Sequence, residues 1–169
     1  MRAVSVAERR PESADEGRTT DANGVALPEL SFVHPIPGFT DLRRFVLVRL
    51  DENAAGAGPA ASDEPAAPAP SESPLYELRS LEQADVRFMV AVPSAFFSDY
   101  EIELDDRECG DLGLTAAADA LVLVMLTVGP DAASTTANLL APIVINAQTR
   151  AAAQIILTGS DWPVRAPLG

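Results

Sequence analysis

The segment from Thr136 to Asn146, T-A-N-L-L-A-P-I-V-I-N, limits the folds open to this chain more than any other stretch. Its apolar residues follow one another almost without polar alternation. This pattern indicates a strand with both faces buried, or with one face in the core and the other against a partner. Pro142 has no N–H for a sheet ladder, so the strand must break, bulge or lie at an edge there. Asn138 and Asn146 suit strand ends because their amides bond nearby backbone. Periodicity favours a central core strand over a docking edge.

The rest of the sequence from about residue 28 is typical of short strands at hairpin spacing. In the H-P-I-P-G-F segment, Pro37 and Gly38 predict a type II turn, after which Phe39 re-enters the core. One short helix is predicted at 106–112, with Asp105 as its N-cap. The predicted strands are 43–50, 75–81, 86–92, 100–104, 119–128 and 154–158, the last entered through a tight turn at 150–153. This pattern predicts an all-β fold, a compact antiparallel β-barrel or sandwich.

Two regions have a composition that disfavours a packed core. Residues 1–27 are predicted to be a largely disordered extension, because they contain few apolar side chains. A short strand around Val4–Val6 is left open as an alternative, although no neighbouring pattern supports it. Residues 53–73 are low in complexity, since 17 of these 21 residues are Ala, Pro, Gly or Ser. We interpret 53–73 as an expanded loop within one domain spanning 28–169, because the ordered residues before it are too few to fold alone.

The charge balance restricts the class of partner. The chain has 25 acidic and 12 basic residues, a net charge of −13, and every basic residue is an arginine. Such a protein lacks the basic surface that nucleic acid requires, but it attracts basic protein surfaces. Cys109 is the only cysteine, which excludes an intramolecular disulfide and favours a cytoplasmic setting. No apolar run approaches the length that spans a bilayer, and no signal peptide is visible.

The sequence contains little that could support catalysis. His34 and Cys109 are the only residues of their kinds, nothing in their spacing links them, and Cys109 lies on the predicted core face of the helix. There are too few Cys and His residues for a zinc site, and no phosphate-binding loop is present. We therefore expect no enzyme activity, no metal and no cofactor.

The strongest electrostatic feature is the stretch from Asp99 to Asp111. It contains seven acids and one arginine, a local net charge of −6, and its acids from Asp99 to Asp105 alternate with apolar residues. Such a surface steers basic partners or repels anions. The alternative is an acidic edge strand that prevents aggregation.

Several motifs, in order along the chain, resemble the bacterial flagellar assembly factor FliW family. They are I-P-G-F (Ile36–Phe39), R-F-V-L (Arg44–Leu47), L-R-S-L-E (Leu78–Glu82), F-F-S-D-Y-E (Phe96–Glu101), the Thr136–Asn146 segment, Q-I-I-L (Gln154–Leu157) and V-R-A-P-L (Val164–Leu168). The chain departs from the family pattern at Pro35, where the family has glycine, at Ala166, where it has histidine, and in the 53–73 insert.

The resemblance implies a cytoplasmic, monomeric, non-catalytic protein that binds two protein partners. FliW-like proteins bind CsrA, an RNA-binding repressor of flagellin translation, and relieve its repression; they also bind flagellin. We hypothesise that the partner-binding residues are acids that oppose RNA, the I-P-G-F turn, and the strand around Pro142 as an exposed edge. These residues are Asp99, Glu101, Glu103, Asp105, Asp106, Ile36, Pro37, Gly38, Phe39, Asn138, Leu139 and Pro142. The alternatives are a flagellin chaperone that does not bind CsrA, and a small-ligand β-barrel or an enzyme that uses Cys109.

Overall fold

The computed structural model of the protein describes residues 4–6, 18–20, 26–50 and 74–168. These residues form twelve strands and one α-helix. In chain order the elements are β1 (Val4–Val6), β2 (Arg18–Thr20), β3 (Ala26–Phe32), β4 (Arg44–Arg49), β5 (Leu75–Ser80), β6 (Arg87–Ala91), β7 (Ile102–Leu104), α1 (Asp106–Leu112), β8 (Ala120–Thr127), β9 (Thr136–Ala137), β10 (Ile143–Asn146), β11 (Ala151–Gln154) and β12 (Ala166–Pro167).

Seven of these strands close into a barrel. The ladder runs from β3 through β4, β5, β6, β8 and β10 to β11, and β11 returns to β3. Each neighbouring pair along this path is antiparallel except the closing pair of β11 and β3, which is parallel. The reason is parity: in an alternating series of seven strands the first and the last run in the same direction. The prediction of a compact all-β barrel is confirmed, with one parallel pair in an otherwise antiparallel barrel.

The described residues form two hydrophobic cores, one on each side of the β8–β10 wall. The inner core fills the barrel, where Phe32 and Phe45 meet edge to face at 5.0 Å between ring centroids. The outer core lies between the wall and a cover formed by β7, α1 and the C-terminal segment. Successive residues of β8 and β10 therefore enter opposite cores: Leu123 belongs to the inner one, Val122 and Val144 to the outer one. This arrangement explains why these two strands are apolar throughout.

Several local predictions are confirmed. The predicted helix is α1, with Asp105 as N-cap, a complete capping box with Glu108, and Gly113 in the left-handed region at φ 64°. The predicted type II turn is also present, since Gly38 has φ 90° and the Phe39 N–H donates to the Ile36 carbonyl at 2.8 Å.

Other predictions are wrong. The last long strand is not Gln154–Thr158 but β11, and the turn precedes it, ending at Arg150 with φ 64°. Within residues 1–27, the strand left open at Val4–Val6 is present as β1, which pairs with β7, and β2 pairs with β3. The prediction that this extension is largely disordered remains a prediction. The remaining residues of that extension and the predicted loop at 53–73 lie outside the described residues.

Candidate partner-binding surface

The strand β7 presents an apolar face to the protein and an acidic face to solvent. Ile102 and Leu104 are buried in the outer core, whereas Glu101 and Glu103 are exposed. The alternation extends to the neighbouring Tyr100, which is buried. We use the name acidic face for the exposed carboxylates along β7 and the start of α1, namely Asp99, Glu101, Glu103, Asp105 and Asp106.

Tyr100 fixes the start of this surface to the outer core. Its hydroxyl donates a hydrogen bond to the Leu139 carbonyl at 2.7 Å, and its ring packs edge to face on Trp162 at 4.8 Å. The Leu139 N–H in turn donates to the Pro163 carbonyl at 3.0 Å. Because Tyr100 lies between Asp99 and Glu101 in the chain, these contacts anchor the start of the acidic face to the outer core.

The acids of α1 also have structural roles. The Asp105 carboxylate accepts from the Glu108 N–H at 2.8 Å, and the Glu108 carboxylate accepts from the Asp105 N–H at 3.0 Å. At the other end of the helix, Asp111 lies 3.1 Å from Nε2 of His34. This last contact joins the helix to the segment that enters the Pro37-Gly38 turn.

Three carboxylates of the acidic face, those of Asp99, Glu101 and Glu103, lie apart from the described arginines. Arg44 forms an ion pair with Glu29, and Arg79 and Arg87 with Glu77, on the β3–β6 side of the barrel. No described arginine lies within ion-pair distance of Asp99, Glu101 or Glu103. The sequence prediction of a dense acidic surface therefore agrees with the geometry.

The structure places the I-P-G-F residues in two environments. Ile36 is 2% exposed and belongs to the inner core, and Phe39 is half-buried with its ring 5.2 Å from that of Phe88. Only Pro37 and Gly38, at the tip of the turn, are exposed. The tip is thus the part of this motif that another protein could contact.

The expectation of an exposed strand edge at Pro142 is wrong. β10 pairs with β8 on one side and with β11 on the other, and Leu139 and Pro142 are buried. Residues 138–142 interrupt the strand instead: the Asn138 side chain accepts from the Ala141 N–H at 3.1 Å. The Thr136–Asn146 segment therefore builds the core.

Sequence reasoning missed the role of Ser80 and Glu82 in the L-R-S-L-E motif. The Glu82 carboxylate accepts from the backbone N–H groups of Arg43 and Arg44 at 2.6 and 3.1 Å, and these hydrogen bonds lower its pKa. The Ser80 hydroxyl accepts from the backbone N–H groups of Glu82 and Gln83, each at 3.1 Å. A serine two residues before an acid is the only local signal for this turn.

The described residues bring no catalytic group together. Cys109 is buried beneath the acids, and burial, with a smaller contribution from Asp106, raises the pKa of its thiol, which opposes formation of a nucleophilic thiolate. His34 contacts Asp111 rather than Cys109. In the part of the chain described, no cluster of His, Cys, Asp and Glu is arranged to hold a metal ion. None of the described helices has the length and apolarity needed to cross a membrane.

Comparisons with known proteins agree with this architecture. Residues 62–168 match the family model for the FliW protein. The chain is 36% identical over 133 residues to the flagellar assembly factor FliW of Bacillus pumilus, covering 79% of both chains. It is 33% identical over 138 residues to that of Bacillus licheniformis, covering 82% of this chain and 83% of the relative.

A solved structure shows the same fold. The crystal structure of a flagellar assembly factor FliW superposes with a TM-score of 0.68 at 33% identity, over 83% of this chain and 84% of that chain. The motifs, the closed barrel with its single described helix, and the similarity over most of the chain lead to one conclusion: this protein belongs to the FliW family of flagellar assembly factors.

Proposed function

We propose that this protein is a cytoplasmic, non-catalytic regulator of flagellar assembly that binds CsrA and relieves its repression of flagellin translation. In this proposal it also binds flagellin, so that the two proteins compete for it. The observation that supports the CsrA part most directly is the acidic face: Ile102 and Leu104 of β7 are buried, whereas Glu103 and the preceding Glu101 are exposed.

The acidic face suits a protein that opposes RNA binding. CsrA must carry positive charge where it holds the RNA backbone, because phosphate contacts dominate such binding. A carboxylate surface is attracted to that charge during association. Once bound, its negative charge raises the free energy of an approaching phosphate backbone. The chain can therefore act without chemistry of its own, which is consistent with a buried Cys109 of raised pKa.

A competition experiment tests the CsrA part. The protein is titrated into a complex of CsrA with flagellin leader RNA, and RNA release is followed by fluorescence anisotropy. The variant Asp99→Asn with Glu101→Gln and Glu103→Gln is expected to need roughly tenfold more protein for half release at low salt, and the deficit should shrink as salt screens the charges.

A matched control changes the same net charge elsewhere. Asp41, Asp85 and Asp161 are exposed acids outside the acidic face, and their replacement by asparagine should leave RNA release within twofold of the unmodified protein. Equal deficits in both triple variants would mean that net charge, not the acidic face, antagonises CsrA. If the acidic-face variant releases RNA at the same concentration as the unmodified protein, the electrostatic mechanism is rejected.

Flagellin binding is tested in the same titration. Added flagellin should restore the CsrA–RNA complex in proportion to its concentration, because it removes this protein from CsrA. Binding of flagellin without any effect on CsrA–RNA would instead identify a dedicated flagellin chaperone. Within the I-P-G-F motif, only the exposed Pro37-Gly38 tip remains a candidate for contact with CsrA or flagellin.

A further inference from the structure

The edge of β7 is covered by the chain's own N-terminal strand. β1 and β7 form a separate two-stranded antiparallel sheet outside the barrel ladder. Their register pairs Val4 with Leu104, Ser5 with Glu103 and Val6 with Ile102. β1 is only three residues long, and a two-stranded ladder of this length is marginal by itself. The edge therefore accepts an extended segment but holds this one with few hydrogen bonds.

β1, with the sequence Val-Ser-Val, contains no charged residue opposite this edge. Residues 1–10 contain three arginines and one glutamate, a net of +2, and the acidic face has five carboxylates. At the position opposite Glu103, however, the chain has the neutral Ser5. Directly opposed residues in an antiparallel pair share a face, so a cation at that position would lie beside the exposed Glu103 carboxylate.

We propose that the β7 edge is a strand-addition site for an extended segment of a basic protein, with the pattern apolar–cationic–apolar, and that Val4–Val6 covers this site until such a segment replaces it. The apolar residues of the incoming segment would lie opposite Leu104 and Ile102, as the register requires. Its central arginine or lysine would form the ion pair with Glu103 that Ser5 does not provide. This proposal does not depend on CsrA or flagellin being the partner, and its test contains neither.

The test uses the full-length protein and two labelled peptides. One peptide has the sequence of residues 1–10, M-R-A-V-S-V-A-E-R-R, and the other carries Ser5→Arg. In the protein, Val4→Asp with Val6→Asp opens the edge by placing carboxylates opposite buried Leu104 and Ile102. We expect the opened protein to bind the Ser5→Arg peptide about threefold more tightly than the native peptide, as one exposed cross-strand ion pair allows. Wild-type protein should bind both peptides at least about tenfold more weakly, because β1 covers the edge.

Charge variants decide whether Glu103 is responsible. Glu103→Gln in the opened protein should abolish the preference for the Ser5→Arg peptide, whereas Asp161→Asn should retain it. Trp162 fluorescence verifies folding, and Ser5→Pro replaces the double variant if the latter unfolds. Three results would overturn the proposal. The first is that the folded, opened protein binds neither peptide, and the second is that wild-type protein binds the peptides as tightly as the opened protein does. The third is that the preference for the Ser5→Arg peptide survives Glu103→Gln.

Discussion

Asn146 joins three parts of the molecule through one buried amide. Its Nδ2 donates to the carbonyls of Leu112 and Gly113 at 2.9 and 3.1 Å, at the end of α1. Its Oδ1 accepts from the N–H groups of Gln148 and Thr149 at 2.9 and 3.1 Å, in the turn before β11. The side chain is therefore satisfied at both ends and ties the acidic helix to the barrel wall.

Replacing Asn146 should destabilise the fold strongly. Asn146→Ala removes the partners of two carbonyls and two N–H groups at a site that is 2% exposed, so we expect a loss of about 3 kcal/mol in the free energy of unfolding. Urea unfolding followed by circular dichroism measures this loss. Gln148→Ala, which removes an exposed hydrogen bond to Asp119, should cost less than about 0.5 kcal/mol. Similar losses in the two variants would contradict the role given to Asn146.

Glu82 should make stability depend on pH. Hydrogen bonds from the backbone of Arg44 and Arg43 lower the pKa of Glu82 below its ordinary 4.5 in the folded protein. Its carboxylate thus stabilises the fold above the unfolded pKa, and this contribution is lost as pH falls through the folded pKa. Wild-type protein should be more stable than Glu82→Gln at pH 7, and urea titrations should show the difference shrinking below about pH 4.5. A difference that is constant with pH would contradict this assignment.

The β8–β9 turn leaves no room for a side chain at residue 129. The Gly129 N–H donates to the Thr135 hydroxyl at 3.2 Å, and a Cβ at residue 129 would lie 2.7 Å from the backbone carbonyl carbon of Ser134. Glycine is required there by space. Gly110, in α1, has nothing within 4 Å of the position of a Cβ. A side chain at residue 129 would therefore clash with its neighbours, whereas one at residue 110 would not.

Alanine substitutions at these glycines should have opposite effects. Gly129→Ala must displace backbone and should destabilise the protein by about 2 kcal/mol. Gly110→Ala removes a poor helix former from an open helix position and should stabilise by up to about 1 kcal/mol. Thermal unfolding of both variants, compared with wild type, measures the two shifts. A Gly129→Ala protein as stable as wild type would show that the turn can open without cost.

At the scale of the whole molecule, the two cores share their central wall. β8 and β10 supply Leu123 and Ile143 to the inner core and Val124 and Val144 to the outer one. Trp162, the single tryptophan, packs against the outer core. Because neither core is complete without these strands, both should unfold in one transition.

A substitution in the inner core should therefore be detected in the outer core. Leu123→Ala is expected to lower the free energy of unfolding by about 3 kcal/mol. Trp162 fluorescence and far-ultraviolet circular dichroism should report the same lowered urea midpoint. A fluorescence midpoint that stays at the wild-type value would show that the outer core, and the acidic face on it, unfolds independently.

Predictions from sequence succeeded where a few neighbouring residues hold the information. The capping box of Asp105 and Glu108, the Pro37-Gly38 turn and the alternation around Ile102 are each fixed within a few positions. The Ala151–Gln154 strand was missed because alanine is a poor strand former. It forms a strand because the barrel needs small residues there: Ala152 and Ala153 are buried in the inner and outer cores respectively.

The sequence by itself determined the all-β class, the helix and its cap, and an acidic strand with one apolar face, because these follow from periodicity and short-range hydrogen bonds. Tertiary structure alone decided that Pro142 is buried, that His34 meets Asp111 across 77 positions, and that β1 covers the edge of β7. Local preferences cannot fix which strands become neighbours. That choice depends on how the closed barrel buries its residues in two cores at once.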